Sequence, residues 1–212
     1  YKVMNKKTSL KILDTLKEVI ENPKCELDFK NPFELICAVT LSAQTTDKRV
    51  NIVTKELFEK YPSPKALMEA DDSDIFKIIS SVGLAKTKTK NLIQLAKIIH
   101  EEYDDEVPHE FDKLITLPGV GRKTASVVLA VGFQIPAMPV DTHLHRMAIR
   151  FGYIQKDESV LKAEEAYKKY IPKELWIDAH HLFLLFGRYY CKASNPICED
   201  CKLKQFCKVY RK

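Results

Sequence analysis

Four of the six cysteines in this chain of 212 residues crowd into one short segment. The segment reads CKASNPICEDCKLKQFC and places its thiols at Cys191, Cys198, Cys201 and Cys207, in the pattern C-x6-C-x2-C-x5-C. The first residues, YKVMNKKTSLKIL, lack the apolar core and cleavage site of a secretory signal, so we expect a reducing compartment. Clustered thiols in such a compartment are more often metal ligands than disulfides. The segment therefore predicts a loop folded around one compact metal centre.

Two kinds of metal centre suit four thiolates in this pattern. Zinc sites built from four cysteines usually use two C-x2-C pairs separated by a longer insert. A cubane iron–sulfur cluster fits the compact spacing better, although bacterial ferredoxins space their cysteines differently. The segment is also rich in cations, which predicts a surface that faces phosphate groups. These cations are Lys192, Lys202, Lys204, Lys208, Arg211 and Lys212.

Helical periodicity dominates the rest of the sequence. Apolar residues recur at helical spacing, as at Ile12, Leu16 and Val19, and Ser63–Pro64 has the composition of a helix N-cap followed by the first helical residue. Runs of alternating β-branched residues bounded by hairpin turns are absent from the sequence. We therefore predict an all-α fold. Its expected helices cover residues 9–21, 48–60, 65–70, 74–81, 87–102, 109–115, 122–132, 142–151, 158–170 and 173–188.

Charge and hydropathy add weaker constraints. Lys and Arg outnumber Asp and Glu by 34 to 29, a bias that is compatible with a polyanionic partner but is common in other proteins. No apolar run is long enough to span a bilayer. Cys25 and Cys37 stand apart from the cysteine segment, and we interpret them as small core residues.

The stretch TLPGVGRKTASVV, residues 116–128, predicts a glycine turn between two helices. Its spacing does not match a Walker phosphate loop, and its helical context excludes a dinucleotide-binding fingerprint. Gly119 and Gly121 allow positive φ and a close backbone approach, and the first N–H groups of the following helix lack internal partners. Such a turn suits one nucleic-acid backbone phosphate. A C-cap glycine that only joins two packed helices is an equally good interpretation of the turn alone.

Lys123 falls in the first turn of the helix that follows the glycines. The helix dipole and the adjacent Arg122 both disfavour its ammonium form, and burial would act in the same direction. A neutral amine is a nucleophile that can attack a sugar carbon and form a Schiff base. A solvated lysine that pairs with a phosphate is the alternative.

Asp141 follows Lys123 by 18 residues and precedes another predicted helix. Its side chain can cap that helix, and it can also stabilise positive charge at a sugar anomeric carbon or transfer a proton. The two roles are compatible, because a cap also fixes the carboxylate in place. For His143 and His145 we expect packing or hydrogen bonding, since neither has a metal-ligand partner at a suitable spacing.

Together, LPGVGRKTA, VDTH and the cysteine pattern, in this order, resemble the endonuclease III family of helix-hairpin-helix DNA glycosylases. The resemblance extends over nearly the whole chain. It includes NPFELICAVTLSAQTTD (31–47), VGLAKTK (82–88) and HHLFLLFGRYYC (180–191).

The resemblance implies two helical lobes with a DNA-binding cleft between them. Residues 24–134 would form a six-helix lobe with a helix-hairpin-helix at about 111–130, and residues 1–23 with 135–212 would form a lobe that carries a [4Fe–4S] cluster in loop 191–207. The implied activity is excision of oxidised pyrimidines from duplex DNA, followed by β-elimination at the abasic site. A cytoplasmic, nucleoid-associated monomer is expected.

The resemblance also implies roles for individual residues. Lys123 corresponds to the nucleophile that attacks C1′, Asp141 to the catalytic aspartate, and the four clustered cysteines to the cluster ligands. Gln44 would fill the vacated base stack and Leu84 would act as a wedge on the opposite strand. The turn would hold a phosphate directly or through a monovalent cation. The expected DNA contacts are Gln44, Leu84, Gly119, Val120, Gly121, Arg122, Thr124 and His143.

Three rival functions remain open at this point. Adenine-mismatch glycosylases usually lack the lysine and carry a catalytic glutamate where this chain has Ala38, and thymine-mismatch glycosylases usually lack the lysine too. A non-catalytic helix-hairpin-helix protein with a four-cysteine zinc site is the rival from a different class. The presence of Lys123 favours the bifunctional glycosylase.

Overall fold

The computed structural model describes residues 3–210, so Arg211 and Lys212 of the expected basic surface lie outside the described residues. Every regular element within 3–210 is helical, which confirms the predicted all-α class. The α-helices are α1 Lys6–Val19, α2 Pro32–Leu41, α3 Asp47–Lys60, α4 Pro64–Met68, α5 Asp72–Ile79, α6 Ala85–Tyr103, α7 Phe111–Leu114, α8 Arg122–Val127, α9 Thr142–Phe151, α10 Val160–Tyr170 and α11 Trp176–Tyr189. A π-helical turn, Val128–Gly132, continues α8, and two short 3₁₀ turns cover Lys173–Leu175 and Lys204–Phe206. None of the described helices is both long and apolar enough to cross a membrane.

The chain divides into two compact units. The central unit is Glu26–Ile135 and contains α2 to α8; the terminal unit combines Tyr1–Cys25 with Pro136–Lys212. In the central unit α6 packs against α4 and α5. In the terminal unit α11 packs against α9 and α1, and its aliphatic and aromatic side chains Leu182, Phe183 and Phe186 are buried at helical spacing.

Local sequence sets where several helices begin. Ser63 caps α4 as expected, with its Oγ accepting a hydrogen bond from the Ala66 N–H at 3.1 Å and proline as the first helical residue. Asn31 caps α2 in the same way by accepting from the Glu34 N–H at 2.9 Å. Both caps satisfy amide groups that the helix itself leaves without acceptors.

Helix α2 is absent from the predicted helices. Its sequence, PFELICAVTL, is buried at every position from Phe33 to Leu41. Periodicity detects a helix through the contrast between an apolar and a polar face, and a mostly apolar helix that is buried all round has little such contrast. The caps at its start, Asn31 followed by Pro32, are the signal that could have located it.

Candidate active site and cysteine loop

Gly119 forms the bend of the glycine turn in the central unit. Its φ is +75°, in the left-handed region that favours glycine. A Cβ at this position would lie 3.0 Å from Asn91 Nδ2 and 3.1 Å from Thr40 Cγ2, so the neighbouring helices leave little room for one. The next residue, Val120, is buried. The backbone conformation and the close packing both favour glycine at position 119.

Gly121 differs from Gly119 in both respects. Its φ of −95° and ψ of −175° are extended values that any residue adopts. Within the described part of the chain, a Cβ on Gly121 would meet no atom within 4 Å. Gly121 is the N-cap of α8, and it provides no side-chain cap for the first amide groups of that helix. Nothing in the packing of the central unit explains why this position is a glycine.

Lys123 lies in the first turn of α8, two residues after Gly121, and its side chain is exposed. Helix α8 therefore presents Lys123 outward in the chain by itself. No hydrogen bond or ion pair engages the Lys123 amine within residues 3–210. Beside it, the Arg122 guanidinium lies 5.1 Å from the centroid of the Phe111 ring. Thr124 is half-buried at the base of the same turn.

Gln44 and Leu84 occupy two loops of the central unit and share an unusual backbone. Gln44 has a φ of +57° and Leu84 a φ of +59°, left-handed values that cost free energy in residues other than glycine. Both side chains are exposed, and Leu84 keeps 60% of its surface accessible. The outward-facing apolar side chain on a strained backbone makes Leu84 a candidate functional residue.

The two loops are joined by contacts that the sequence analysis did not predict. The Gly83 N–H donates to Thr45 Oγ1 at 3.1 Å. Lys88, on α6, donates from Nζ to the backbone oxygens of Leu41 at 2.9 Å and Ala43 at 2.6 Å. Its side chain is buried, and burial lowers the pKa of its amine.

Asp141 of the terminal unit is the N-cap of α9, as expected. Its Oδ1 accepts hydrogen bonds from the N–H groups of His143 at 2.8 Å and Leu144 at 2.9 Å. Its Oδ2 lies 2.9 Å from His143 Nδ1. The expected hydrogen-bonding role of His143 is therefore confirmed. That of His145 is confirmed too, because its Nε2 lies 2.8 Å from the backbone oxygen of Glu158. The contacts of both carboxylate oxygens hold Asp141 in one orientation.

The cysteine loop begins where α11 ends and is anchored to α9. Arg146 donates to the backbone oxygens of Gly187 at 2.7 Å and Cys191 at 3.1 Å. Arg150 donates from Nη1 to the Cys191 oxygen and to Cys191 Sγ, both at 3.0 Å. Helix α9 thus begins at the Asp141 cap and binds the first cysteine of the loop through Arg146 and Arg150. The spacing of these arginines at i and i+4 places them on one helix face.

All four loop cysteines are half-buried. Burial raises the pKa of the Cys191 thiol, and the hydrogen bond from Arg150 opposes this shift. Burial also raises the pKa of Cys201. Negative charge on Cys201 and Cys207 also raises the pKa of Cys191, and charge on Cys198 raises that of Cys201. The four sulfurs therefore lie near one another. Among residues 3–210, however, no three His, Cys, Asp or Glu side chains converge as ligands of a single metal ion.

The structure distributes the predicted site residues over both units. The central unit contains Gln44, Leu84 and the glycine turn with Arg122, Lys123 and Thr124. The terminal unit contains Asp141, His143 and the four cysteines. The joint action of Lys123 and Asp141 stays a prediction.

Known proteins resemble this chain over almost its entire length. The sequence model of the HhH-GPD superfamily base excision DNA repair proteins matches residues 37–173. Endonuclease III of Bacillus subtilis is 45% identical over 200 residues, which cover 94% of this chain and 91% of that protein. Endonuclease III of Escherichia coli is 40% identical over 209 residues and covers 99% of both chains.

A solved structure, a trapped Endonuclease III–DNA covalent intermediate in an estranged-adenine complex, has the same fold. It matches with a TM-score of 0.94 at 44% identity and covers 97% of both chains. Identity and coverage of this extent identify the family, and the expected resemblance is confirmed. This chain belongs to the endonuclease III family of the HhH-GPD superfamily, the DNA glycosylases and AP lyases of base excision repair.

Proposed function

We propose that this glycosylase removes oxidised pyrimidines from duplex DNA through a Schiff base on Lys123 and then cleaves the strand 3′ to the abasic site. The observation that carries the proposal is the Lys123 amine itself, which is exposed and unengaged within the described residues, directly after the glycine turn. The amine is therefore available to a bound substrate. An unengaged amine directly after a turn that is proposed to bind phosphate is positioned to react with the adjoining sugar.

The reaction follows from amine chemistry. The damaged nucleotide leaves the base stack, Lys123 Nζ bonds to C1′, and the N-glycosidic bond breaks with its electron pair leaving on the base. Opening of the sugar ring gives the imine and a hydroxyl group at C4′. Removal of a C2′ proton then expels the 3′ phosphate by β-elimination, and water hydrolyses the imine to restore the amine.

Asp141 is proposed to stabilise the positive charge that develops at C1′ and to assist proton transfer. The hydrogen bonds at Oδ1 and the contact of Oδ2 with His143 support this role, because they fix the carboxylate before substrate binds. Preorganised charge avoids reorganisation during the reaction, which makes it effective in catalysis.

The glycine turn is proposed to hold a DNA backbone phosphate, directly or through a monovalent cation, with Arg122 and Thr124 beside it. The open space at Gly121 supports this role, since the chain itself does not need glycine there. A phosphate that approaches the backbone closely would need it. The buried side chain of Val120 supports a contact through its backbone alone.

Duplex DNA with oxidised pyrimidines or abasic sites is the proposed partner, bound by a monomer in the cytoplasm. Gln44 would fill the vacated stack, Leu84 would separate the opposite strand, and His143 would contact the backbone near Asp141. The exposure of Leu84 and its strained backbone support the wedge. The trapped covalent complex of a relative that is 44% identical supports covalent chemistry on DNA.

The four loop cysteines are proposed to hold a [4Fe–4S] cluster. Four half-buried thiols in one loop suit this group, and their compact C-x6-C-x2-C-x5-C spacing favours it over zinc. In a cubane each thiolate binds a different iron, so the sulfurs need not meet at one point. When bound, the cluster would tie the loop together through four thiolate–iron bonds.

A panel of duplexes tests the proposal. Each duplex carries one oxidised pyrimidine, one mismatched thymine or adenine, or one abasic site, and both base release and strand cleavage are measured. We expect the wild-type chain to act on the oxidised pyrimidines and the abasic site, and Lys123→Ala to lose strand cleavage. Lys113→Ala, a substitution at an exposed lysine on α7, should behave as wild type. Preference for a mismatch, or full strand cleavage by Lys123→Ala, would refute it.

A further inference from the structure

Lys88 is a buried cation whose hydrogen-bond acceptors flank the proposed stack-filling residue. Only 4% of its surface is exposed, and its Nζ donates to the oxygens of Leu41 and Ala43, three residues and one residue before Gln44. The Leu41 oxygen belongs to the last turn of α2, where backbone oxygens lack helical partners and a cation is favoured. Lys88 therefore fixes the backbone from the end of α2 into the Gln44 loop.

The same lysine lies one helical turn after Leu84. Its backbone N–H donates to the Leu84 oxygen at 3.0 Å, and Leu84 is the N-cap residue of α6. Lys88 thus contacts the wedge residue through its backbone and the stack-filling loop through its side chain. The hydrogen bond from Gly83 to Thr45 forms a second link between the loops, and a Cβ on Gly83 would lie 3.3 Å from the Gln44 oxygen.

Packing alone does not account for a lysine at this position. Burying an ammonium group carries a desolvation cost, which an apolar side chain of similar length would avoid. The amine instead satisfies two backbone oxygens beside a left-handed Gln44, on a helix that begins at a left-handed Leu84. Strained residues persist where surrounding contacts fix them, and such contacts are most valuable at functional sites.

We propose that Lys88 is a positioning residue that couples the Gln44 loop to Leu84, so that stack filler and wedge enter the duplex as one rigid unit. The proposal rests on the proposed function, because it assumes the roles given there to Gln44 and Leu84. Its consequence is specific. Lys88 matters for opening a paired duplex, and it does not matter for chemistry on a nucleotide that is already unpaired.

The test compares Lys88→Met with Lys90→Met. Both substitutions remove one positive charge from α6, but Lys90 is exposed, so it controls for the general loss of attraction to DNA. Single-turnover excision is measured for one oxidised pyrimidine in a duplex and in a single strand, and 2-aminopurine opposite the lesion reports unstacking. Because hydrogen bonds to charged groups are being lost, we expect Lys88→Met to slow duplex excision about tenfold or more relative to Lys90→Met, with single-strand excision changed less than about twofold.

A double-mutant cycle with Leu84→Ala adds a readout that a purely structural role would not move. If Lys88 acts through the wedge, combining Lys88→Met with Leu84→Ala slows duplex excision little more than Leu84→Ala alone. Equal losses on duplex and single strand, or additive effects in the cycle, would overturn the proposal. If wild type and Lys90→Met both fail to excise the oxidised pyrimidine, the proposed function itself has failed.

Thr45→Val provides a second test that does not disturb a buried charge. It removes the hydrogen bond to Gly83 while keeping the side-chain shape at a half-buried position. We expect a smaller loss with the same preference for duplex over single strand. If Lys88→Met does not fold, this variant decides: duplex excision equal to that of wild type would overturn the coupling of the loops.

Discussion

Replacing Asp141 by asparagine and by alanine separates its two roles. The Oδ1 atom accepts two N–H groups of α9, at 2.8 and 2.9 Å, and asparagine retains an oxygen that can accept both. Asparagine and aspartate are equally good N-caps, whereas alanine costs about 1 kcal/mol. For a chain of this size that loss lowers Tm by about 2–4 °C. We therefore expect Asp141→Asn to melt close to wild type and Asp141→Ala to melt measurably lower.

The rate of base excision should depend on the negative charge of Asp141 and not on its capping of α9. Both variants lose the carboxylate, and removing one preorganised electrostatic group typically slows a reaction about 10²- to 10³-fold. Single-turnover base release measures this loss, and binding to a duplex with an uncleavable abasic analogue shows whether DNA affinity is retained. The expected pattern is slow excision by both variants with only the alanine variant destabilised. Unchanged excision by Asp141→Asn would refute the catalytic role, and equal melting of the two variants would refute the cap.

Three further predictions address the turn, a buried histidine and the cysteine loop. Gly119→Ala should destabilise the chain by about 1 kcal/mol or more, because the φ of Gly119 is positive. Gly121→Ala should keep the stability of the chain and weaken its binding to DNA. Thermal melting measures the first effect and fluorescence anisotropy the second, and equal effects of the two variants would contradict the prediction. Burial lowers the pKa of His181, against a smaller opposing effect of Asp178. The pKa of His181 is 6.5 in the unfolded chain and lower in the folded chain, so the stabilisation from the neutral imidazole is complete above pH 6.5. It is lost as the pH falls from the unfolded-state pKa to the folded-state pKa. Between about pH 7.5 and 5, the free energy of unfolding measured by denaturant titration should fall less for His181→Leu than for wild type. Cys201→Ser should reduce bound iron and visible absorbance and should increase proteolysis of loop 191–207; a fully loaded variant would exclude Cys201 as a ligand.

The sequence predicted those parts of the fold whose signal is local. Amphipathic helices such as α1 and the Ser63 cap of α4 are specified within a few residues, and the structure contains both. Helix α2 was missed because its side chains are buried on every face, so its position depends on the surrounding helices. Periodicity cannot report burial that tertiary packing creates.

In the candidate site, too, locally encoded features were predicted and features set by tertiary packing were not. The N-cap at Asp141 and the glycine at 119 follow from local chemistry and were expected. Lys88 was not singled out, because its acceptors are backbone oxygens 45 and 47 residues away, which no local pattern encodes. The exposure of Lys123 could not be predicted, since the orientation of α8 depends on how the central unit packs. The left-handed backbone of Leu84 was equally unpredictable, because leucine rarely adopts it.

Reductive trapping shows whether Lys123 forms the covalent bond to the substrate sugar. Wild-type protein, Lys123→Ala and Lys113→Ala are each mixed with a duplex containing one oxidised pyrimidine in the presence of borohydride, and the covalent adduct is mapped by peptide mass spectrometry. Borohydride reduces an imine to a stable amine, so we expect a DNA adduct at Lys123 in wild type and Lys113→Ala and none in Lys123→Ala. An adduct at another residue, or base excision by wild type without any adduct, would contradict this expectation.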